Sequence, residues 1–318
     1  MPDTEITFDH IRAAAERIRP IAKRTPVMSS ASFDAESGVS AFFKCENFQK
    51  GGAFKIRGAS NFIFSIPRDR LPAGVVAHSS GNHAQAVAIA AQFAGTPATL
   101  VMPEDAPRSK VEGTRARGAK IVHYDRFQGN REQISARIAA ESGATLVPPY
   151  DHPWTIAGQG TAAKELIEEV PDLDALVVCV GGGGLCSGSG IAAHHLRPQI
   201  RVFGIEPELG NDTYLSFAAG ERVKIETPST IADGLRSTSP GELTFPILKK
   251  HVEQMLVVSE DEIRATVKFL MMRLKIVVEP SGAVSAAAVL FRKLPVGIRR
   301  VGVILSGGNV DYEQLATL

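Results

Sequence analysis

From residue 74 onward the chain alternates two kinds of segment. GVVAHS (74–79), PATLVMP (97–103) and AKIVHYD (119–125) are short, almost continuous apolar runs, and between them lie the helix-forming stretches NHAQAVAIAAQFAG (82–95) and SKVEGTRARG (109–118). A further helix is expected across 130–142, followed by TLVPPY (145–150). A strand with one wet face alternates apolar and polar residues. A strand that is apolar throughout is covered on both faces, which here means helices on either side of a mostly parallel sheet. The alternation reopens after a helix at 158–169 with ALVVCV (175–180) and continues through RVFGIEP (201–207) and VGVILS (301–306). AFFKCE (41–46) reads as an earlier strand, and FDHIRAAAERIR (8–19) as an entry helix capped by Thr7 and stopped by Pro20. The expected fold class is therefore α/β, with two doubly wound, largely parallel layers and the ligand at the carboxyl ends of their strands.

Composition narrows the function classes. A chain of 318 residues with 44% hydrophobic and 22% charged residues has the make-up of a soluble globular protein with a substantial core. Its 35 Lys+Arg balance 34 Asp+Glu, so nothing in the charge suits a nucleic acid or an anionic membrane surface. No apolar run approaches the roughly 20 residues of a membrane span, and the acidic start MPDTEITFDH is unlike a signal peptide, so a cytoplasmic protein is expected. Cys45, Cys179 and Cys186 are odd in number and lack metal-ligand spacing, which implies reduced, buried thiols.

Four loops carry the chemistry. In GGAFKIRG (51–58) one lysine, Lys55, lies between Phe54 and Ile56 at the start of an expected helix. Apolar surroundings favour its neutral amine, the form that condenses with a carbonyl, most commonly that of pyridoxal phosphate. On this segment alone, an ordinary exposed lysine at a helix start is the competing reading. The second loop, GGGG (181–184), separates ALVVCV from LCSGSGIAAHHL, and glycines ahead of a helix start make a phosphate cradle. It is not a P-loop, because Leu185 and Cys186 stand where Lys and Ser/Thr are required. A dinucleotide fingerprint begun at Gly181 or Gly182 would end at Cys186 or Ser187 instead of glycine. Glu206, at the end of the next strand, nevertheless stands about where such folds keep a ribose-binding acid, so a nicotinamide-dependent oxidoreductase is the competing class. In the third loop, SSGNHAQ (79–85), Asn82 is either a helix cap or an amide able to reach the phenolic oxygen of a pyridoxal ring, with Ser79 and nearby N–H groups for a carboxylate. In the fourth, SGGN (306–309), a Ser306 hydroxyl facing a pyridine nitrogen would leave that nitrogen neutral. The weaker electron sink favours prompt loss of a β-substituent over transamination.

Together, AFKIRG, SSGNHAQ, IAGQGT (156–161), GGGGL, EPELGND (206–212), IADGLR (231–236), EPSGA (279–283) and LSGGNVD (305–311) follow the order and spacing of the serine racemase and serine/threonine dehydratase family. Over residues 5–315 the chain resembles these pyridoxal phosphate enzymes of fold type II, the tryptophan synthase β fold. The resemblance implies a large cofactor-binding domain (1–64 plus 152–318), a small substrate-closing domain (65–151) and a homodimer. It implies that Lys55 forms the internal aldimine with pyridoxal 5'-phosphate, that Phe54 flanks the ring and that Asn82 bonds the ring oxygen. Gly181, Gly182, Gly183, Gly184 and Leu185 would hold the phosphate, and Ser306 would face the ring nitrogen. Ser79, Ser80, Gly81, Asn82 and His83 would receive the substrate carboxylate, with Arg131 and Ser237 also approaching substrate. Glu206, the carbonyl of Gly210 and Asp212 match a divalent-cation site, whose oxygen ligands suit Mg²⁺ or Ca²⁺.

Two departures sort the subfamilies. Ala53 stands where most threonine dehydratases of the group carry Ser, and Ser80 where they carry Ala; both resemble the serine racemase and 3-hydroxyaspartate dehydratase subset. The chain stops nine residues after SGGN, so control by isoleucine-type effectors is not expected. The expected activity is that of an ammonia-lyase on a β-hydroxy-α-amino acid: Lys55 removes the Cα proton, the β-hydroxyl leaves, and a 2-oxo acid and ammonia result. Arg131, Arg236 and His83 offer more positive charge than one carboxylate needs, which points to 3-hydroxyaspartate, giving oxaloacetate. A serine or aspartate racemase, with Ser80 reprotonating Cα from the opposite face, is the alternative. A β-replacement synthase and a non-catalytic pyridoxal phosphate carrier stand further off.

Overall fold

The computed structural model describes residues 5–79, 81–104, 108–125 and 129–318, with only the backbone course for 108–110. In chain order its strands are β1 (Val27–Met28), β2 (Ser40–Cys45), β3 (Val75–His78), β4 (Ala98–Pro103), β5 (Lys120–Tyr124), β6 (Thr145–Leu146), β7 (Ala175–Cys179), β8 (Arg201–Pro207), β9 (Gln254–Val258) and β10 (Arg300–Leu305). The larger sheet is ordered β1-β2-β10-β7-β8-β9 and the smaller β5-β4-β3-β6. Every pairing is parallel except that of β1 with β2. The continuous apolar runs account for this: all of β7 and all but the first residue of β10 are buried, as strands covered on both faces must be.

The order of strands decides where a ligand can sit. In the larger sheet the chain steps outward from β7 to β8 to β9 and then returns to the other side of β7 with β10. In the smaller it steps from β3 to β4 to β5 and returns to the other side of β3 with β6. Connections that leave two adjacent parallel strands in opposite directions open a crevice at their carboxyl ends. The loop 181–184 follows β7 and the loop 306–309 follows β10; Ser79 to Asn82 follow β3 and the segment 147–152 follows β6. The glycine loop, the SGGN loop, the Asn82 loop and the segment 147–152 therefore leave one of two switch points, whereas Lys55, Arg131, Ser237 and the cation trio do not.

Each sheet has its own apolar cluster. Phe43, Val177, Phe203, Ile304, Leu166 and Ala287 are among the residues buried in the larger one. Val75, Ala77, Val87, Leu100 and Met102 belong to the smaller. The helix Lys55–Ile63 buries Ile56, Ala59, Phe62 and Ile63 in the smaller cluster, while Arg57 reaches into the larger body, so this helix belongs to both. The helix expected at 158–169 starts earlier, at Pro153. Proline tolerates the first turn because its missing N–H would have no partner there, and the His152 ring caps the turn by accepting from the Trp154 N–H. The three cysteines are free and buried, as expected. Among the described residues no helix is long and apolar enough to cross a membrane.

Candidate active site

The loop carrying Lys55 is stitched to the loop after β10. Ala53 and Gly307 form an isolated antiparallel bridge, the Phe54 N–H donates to the Ser306 carbonyl at 3.0 Å, and the Gly308 N–H donates to the Gly52 carbonyl at 2.9 Å. Lys55 then opens its helix, and its Nζ turns toward the segment after β6, where it donates to the Pro149 carbonyl at 2.8 Å. The same Nζ lies 5.1 Å from the centre of the Phe54 ring. Burial pushes its pKa down to about 8, against a smaller opposing effect of Cys179. Lys55 is half-buried and its amine is turned inward onto a backbone carbonyl, so the reading as an ordinary exposed lysine is set aside.

Beneath Lys55 lies a buried charge network. Arg57, completely buried, holds Glu46 through Nε and Nη2 and Glu165 through Nη1 and Nη2, all at 2.8 Å. Lys44, equally buried, donates to Glu165 at 2.7 Å and to the Thr25 carbonyl at 2.6 Å. Two cations thus face two carboxylates with their donors satisfied, which is what keeps such a group tolerable in an apolar interior. The network joins β2, the helix Lys55–Ile63 and the helix Pro153–Glu169, and so fixes where the Lys55 backbone starts.

The glycine loop is built for close approach. Gly183 has φ +93°, a turn that side chains disfavour, and the helix Gly184–Leu196 follows at once. The Tyr150 ring lies directly on Gly182, so a Cβ at Gly182 would overlap it. The Gly182 carbonyl accepts from the Thr244 hydroxyl at 2.7 Å and from the Gly241 N–H at 3.3 Å. Leu185 buries its side chain in the larger core, leaving only its backbone N–H at the helix start, where N–H groups lack intrahelical partners.

From the smaller sheet, Gly81 caps the helix Asn82–Ala94, so Asn82 is its first residue and not its cap. Freed from capping, the Asn82 amide crosses to the larger body: Nδ2 donates to Glu279 at 2.7 Å and Oδ1 accepts from Asn309 Nδ2 at 2.8 Å. The Ser79 hydroxyl accepts from the Gly81 N–H at 3.1 Å. Ser306, at the end of β10, is buried with its hydroxyl against the Cys179 thiol. Ser80 lies outside the described residues.

The expected excess of positive charge is largely absent. His83 is buried against the Val147 carbonyl at 3.0 Å, and burial together with the nearby Lys55 charge lowers its pKa to about 3, so it is neutral. Arg236 is exposed and spends its guanidinium on the Thr230 carbonyl, at 2.9 and 2.6 Å, bracing its own loop. Only Arg131 is left; it is half-exposed, pairs with Glu132 at 2.8 Å, and its charge reaches the Tyr150 phenol.

Glu206 and Asp212 come together as expected. Both are completely buried; Glu206 accepts from the Thr213 and Tyr214 N–H groups at 3.1 and 2.7 Å, and the Ser237 hydroxyl donates to Asp212 Oδ1 at 3.1 Å. Asp212 Oδ2 has no hydrogen-bond partner among the described residues. Burial raises both pKa values, that of Asp212 to about 7, and the Asp212 charge raises Glu206 further. Two buried acids with an orphaned oxygen, beside the buried Gly210, have the donor chemistry of a hard-cation site. Among the described residues no group of three or more His, Cys, Asp or Glu side chains can hold a metal, so a cation here would depend on these two carboxylates plus backbone and water.

Sequence reasoning gave no role to Pro149, Tyr150, Asp151 or Glu279. Glu279 and Asn309 lay in quoted motifs, whereas nothing in TLVPPYD marks a carbonyl for Lys55 or a ring for Gly182.

A family model described as "Pyridoxal-phosphate dependent enzyme" matches residues 18–307. The chain is 50% identical over 310 residues to a serine racemase of Schizosaccharomyces pombe, covering 98% of this chain and 96% of that one. It is 49% identical over 312 residues to an L-threo-3-hydroxyaspartate ammonia-lyase of Saccharomyces cerevisiae, with the same coverage of 98% and 96%. Among solved structures, maize serine racemase superposes with a TM-score of 0.94 at 46% identity, over 98% of this chain and 96% of that one.

Proposed function

Because the chain belongs to the pyridoxal-phosphate dependent enzyme family, we propose that it is an ammonia-lyase acting on β-hydroxy-α-amino acids, with 3-hydroxyaspartate its best substrate. The observation that carries the chemistry is the half-buried Lys55 amine, with its pKa pushed down to about 8, held between loops from both switch points. The choice of substrate is supported by the relative named as a 3-hydroxyaspartate ammonia-lyase and by Arg131, a half-exposed guanidinium whose pairing with Glu132 leaves donors for a second carboxylate.

The residues present fit the cofactor: a glycine loop without side chains at a helix start, an amine of lowered basicity and a buried serine hydroxyl. Pyridoxal phosphate, when bound, supplies the electron sink that lets a Cα–H bond break. The N–H groups of Gly181 to Leu185 would hold its phosphate, Lys55 its carbonyl carbon, Asn82 its ring oxygen and Ser306 its nitrogen, with Phe54 alongside. Lys55 would accept the Cα proton at Nζ, and the Pro149 carbonyl keeps that amine aimed. Ser79 and the N–H groups at Gly81 and Asn82 receive the α-carboxylate. Ser306, a neutral hydroxyl, would not hold a proton on the ring nitrogen, which would favour departure of the β-hydroxyl. The body spanning 65–151 is proposed to close over substrate, with the helix Lys55–Ile63 as the element shared with the rest, and a homodimer is proposed from the resemblance.

A racemase is the second reading, favoured by the 50% identity to a protein of that name and by a serine at position 80. Ammonia release from L-threo-3-hydroxyaspartate, L-serine and L-threonine tests the substrate proposal. The expected kcat/KM is highest for hydroxyaspartate; equal or higher efficiency on serine overturns it.

Three further outcomes are expected. The rate at which the protein captures pyridoxal phosphate should rise with pH and level off above about 8, because only the neutral Lys55 amine attacks; a flat profile between pH 6 and 9 would contradict this. Magnesium or calcium should raise the melting temperature through Glu206, Gly210 and Asp212, by the equivalent of about 2.7 kcal/mol at a hundredfold excess over the dissociation constant. An unchanged melting temperature after chelation would make the acid pair an ordinary buried one. Ser306→Asp should protonate the ring nitrogen and slow elimination, read as loss of 2-oxo acid formation with cofactor still bound.

A further inference from the structure

The chain crosses from the smaller sheet to the larger through Pro149, Tyr150 and Asp151, and each of the three grips a different part of the site. The Pro149 carbonyl accepts from Lys55 Nζ at 2.8 Å and from the Gln159 amide at 3.3 Å. The Tyr150 ring covers Gly182, and its Cβ lies 2.9 Å from where a Gly184 Cβ would be. Asp151 accepts three backbone N–H groups at the head of the helix Thr244–His251: Glu242 at 2.9 Å, Leu243 at 3.0 Å and Thr244 at 3.1 Å. The Thr244 hydroxyl in turn donates to the Gly182 carbonyl at 2.7 Å. The glycine loop is thus held on one side by Tyr150 and on the other by Thr244, and Asp151 is the side chain that ties these two grips together.

We infer that Asp151 is a positioning residue for the cofactor site: by anchoring the crossing segment to residues 242–244, it holds the Pro149 carbonyl against Lys55 and the glycine loop in its phosphate-binding shape. The inference rests on the reading of Lys55 as the cofactor lysine. A carboxylate accepting three N–H groups at a helix start is replaced poorly by an amide of the same shape, which accepts through one oxygen and turns an NH₂ toward a donor. Asp151→Asn loosens the anchor, and the amine and the loop then lose their common reference.

The test compares Asp151→Asn with Asp174→Asn in proteins loaded with pyridoxal phosphate. Asp174 also accepts two backbone N–H groups, from Arg299 and Arg300 at 2.9 Å each, but at the amino ends of the strands, away from Lys55. Asp151→Asn should weaken cofactor affinity about tenfold or more, the equivalent of one charge-assisted hydrogen bond. It should also move the pH at which cofactor capture is half-maximal away from the native value, because Lys55 Nζ loses the carbonyl that accepts from it. Asp174→Asn should change neither. If the two variants behave alike on both readouts, Asp151 is an ordinary cap and the inference falls. If the native protein develops no visible absorbance with the cofactor, it is the reading of Lys55 that fails instead. Should Asp151→Asn not fold, Thr244→Val, which cuts only the link to Gly182, carries the same test: weakened cofactor affinity supports the inference and native affinity overturns it.

Discussion

Lys55→Ala is expected to abolish turnover, by about ten-thousandfold or more, and to remove the visible absorbance of the bound cofactor while leaving the fold intact. Lys55 serves two steps, as the amine that holds the cofactor and as the base at Cα, and loss of a positioned base alone costs roughly 10² to 10⁴ in rate. Among the described residues its side chain makes one hydrogen bond, to the Pro149 carbonyl, so truncation removes little else. Added small amines should restore part of the activity by taking over the proton transfer. Turnover within tenfold of native, without added amine, would show that another group does this work.

Arg57→Ala should have the largest effect on stability. The guanidinium is completely buried and holds two carboxylates bidentately, so its removal strands Glu46 and Glu165 with only Lys44 to face them. Breaking a buried pair on one side costs about 3–5 kcal/mol because the charge left behind has lost both water and partner. Urea denaturation reads the loss directly, and a change under about 1 kcal/mol would mean that water enters and the network is not a buried one. Because Arg57 sits two residues past Lys55 in one helix turn, whatever folded protein remains should also bind cofactor less tightly.

The two layers were legible because strands buried on both faces leave continuous apolar runs, and β3, β4, β7, β8 and β10 fall where such runs stand, whereas β5, at the edge of the smaller sheet, buries only Tyr124. The glycine loop and Lys55 were legible because their chemistry demands particular residue types beside particular elements. Asn82 illustrates where this ended: the sequence left it between a helix cap and a site amide, and only the cap at Gly81 and the reach to Glu279 separate the two. Positive charge was overread for a physical reason. Whether a histidine is charged depends on burial, and whether an arginine is available depends on what its guanidinium already holds; His83 and Arg236 lose their roles as substrate cations on those two counts. The segment 149–151 was illegible altogether, since Pro149 acts through a backbone carbonyl and Asp151 through main-chain partners some 90 residues away.

The measurement that bears most directly on the proposed activity is a single reaction of the holoenzyme with L-threo-3-hydroxyaspartate, in which oxaloacetate and the stereochemistry of the remaining amino acid are followed together. Oxaloacetate and ammonia should appear in equal amounts and faster than any inverted hydroxyaspartate, and Lys55→Ala should produce neither. Inverted amino acid accumulating ahead of 2-oxo acid would contradict the assignment as an ammonia-lyase and make the protein a racemase.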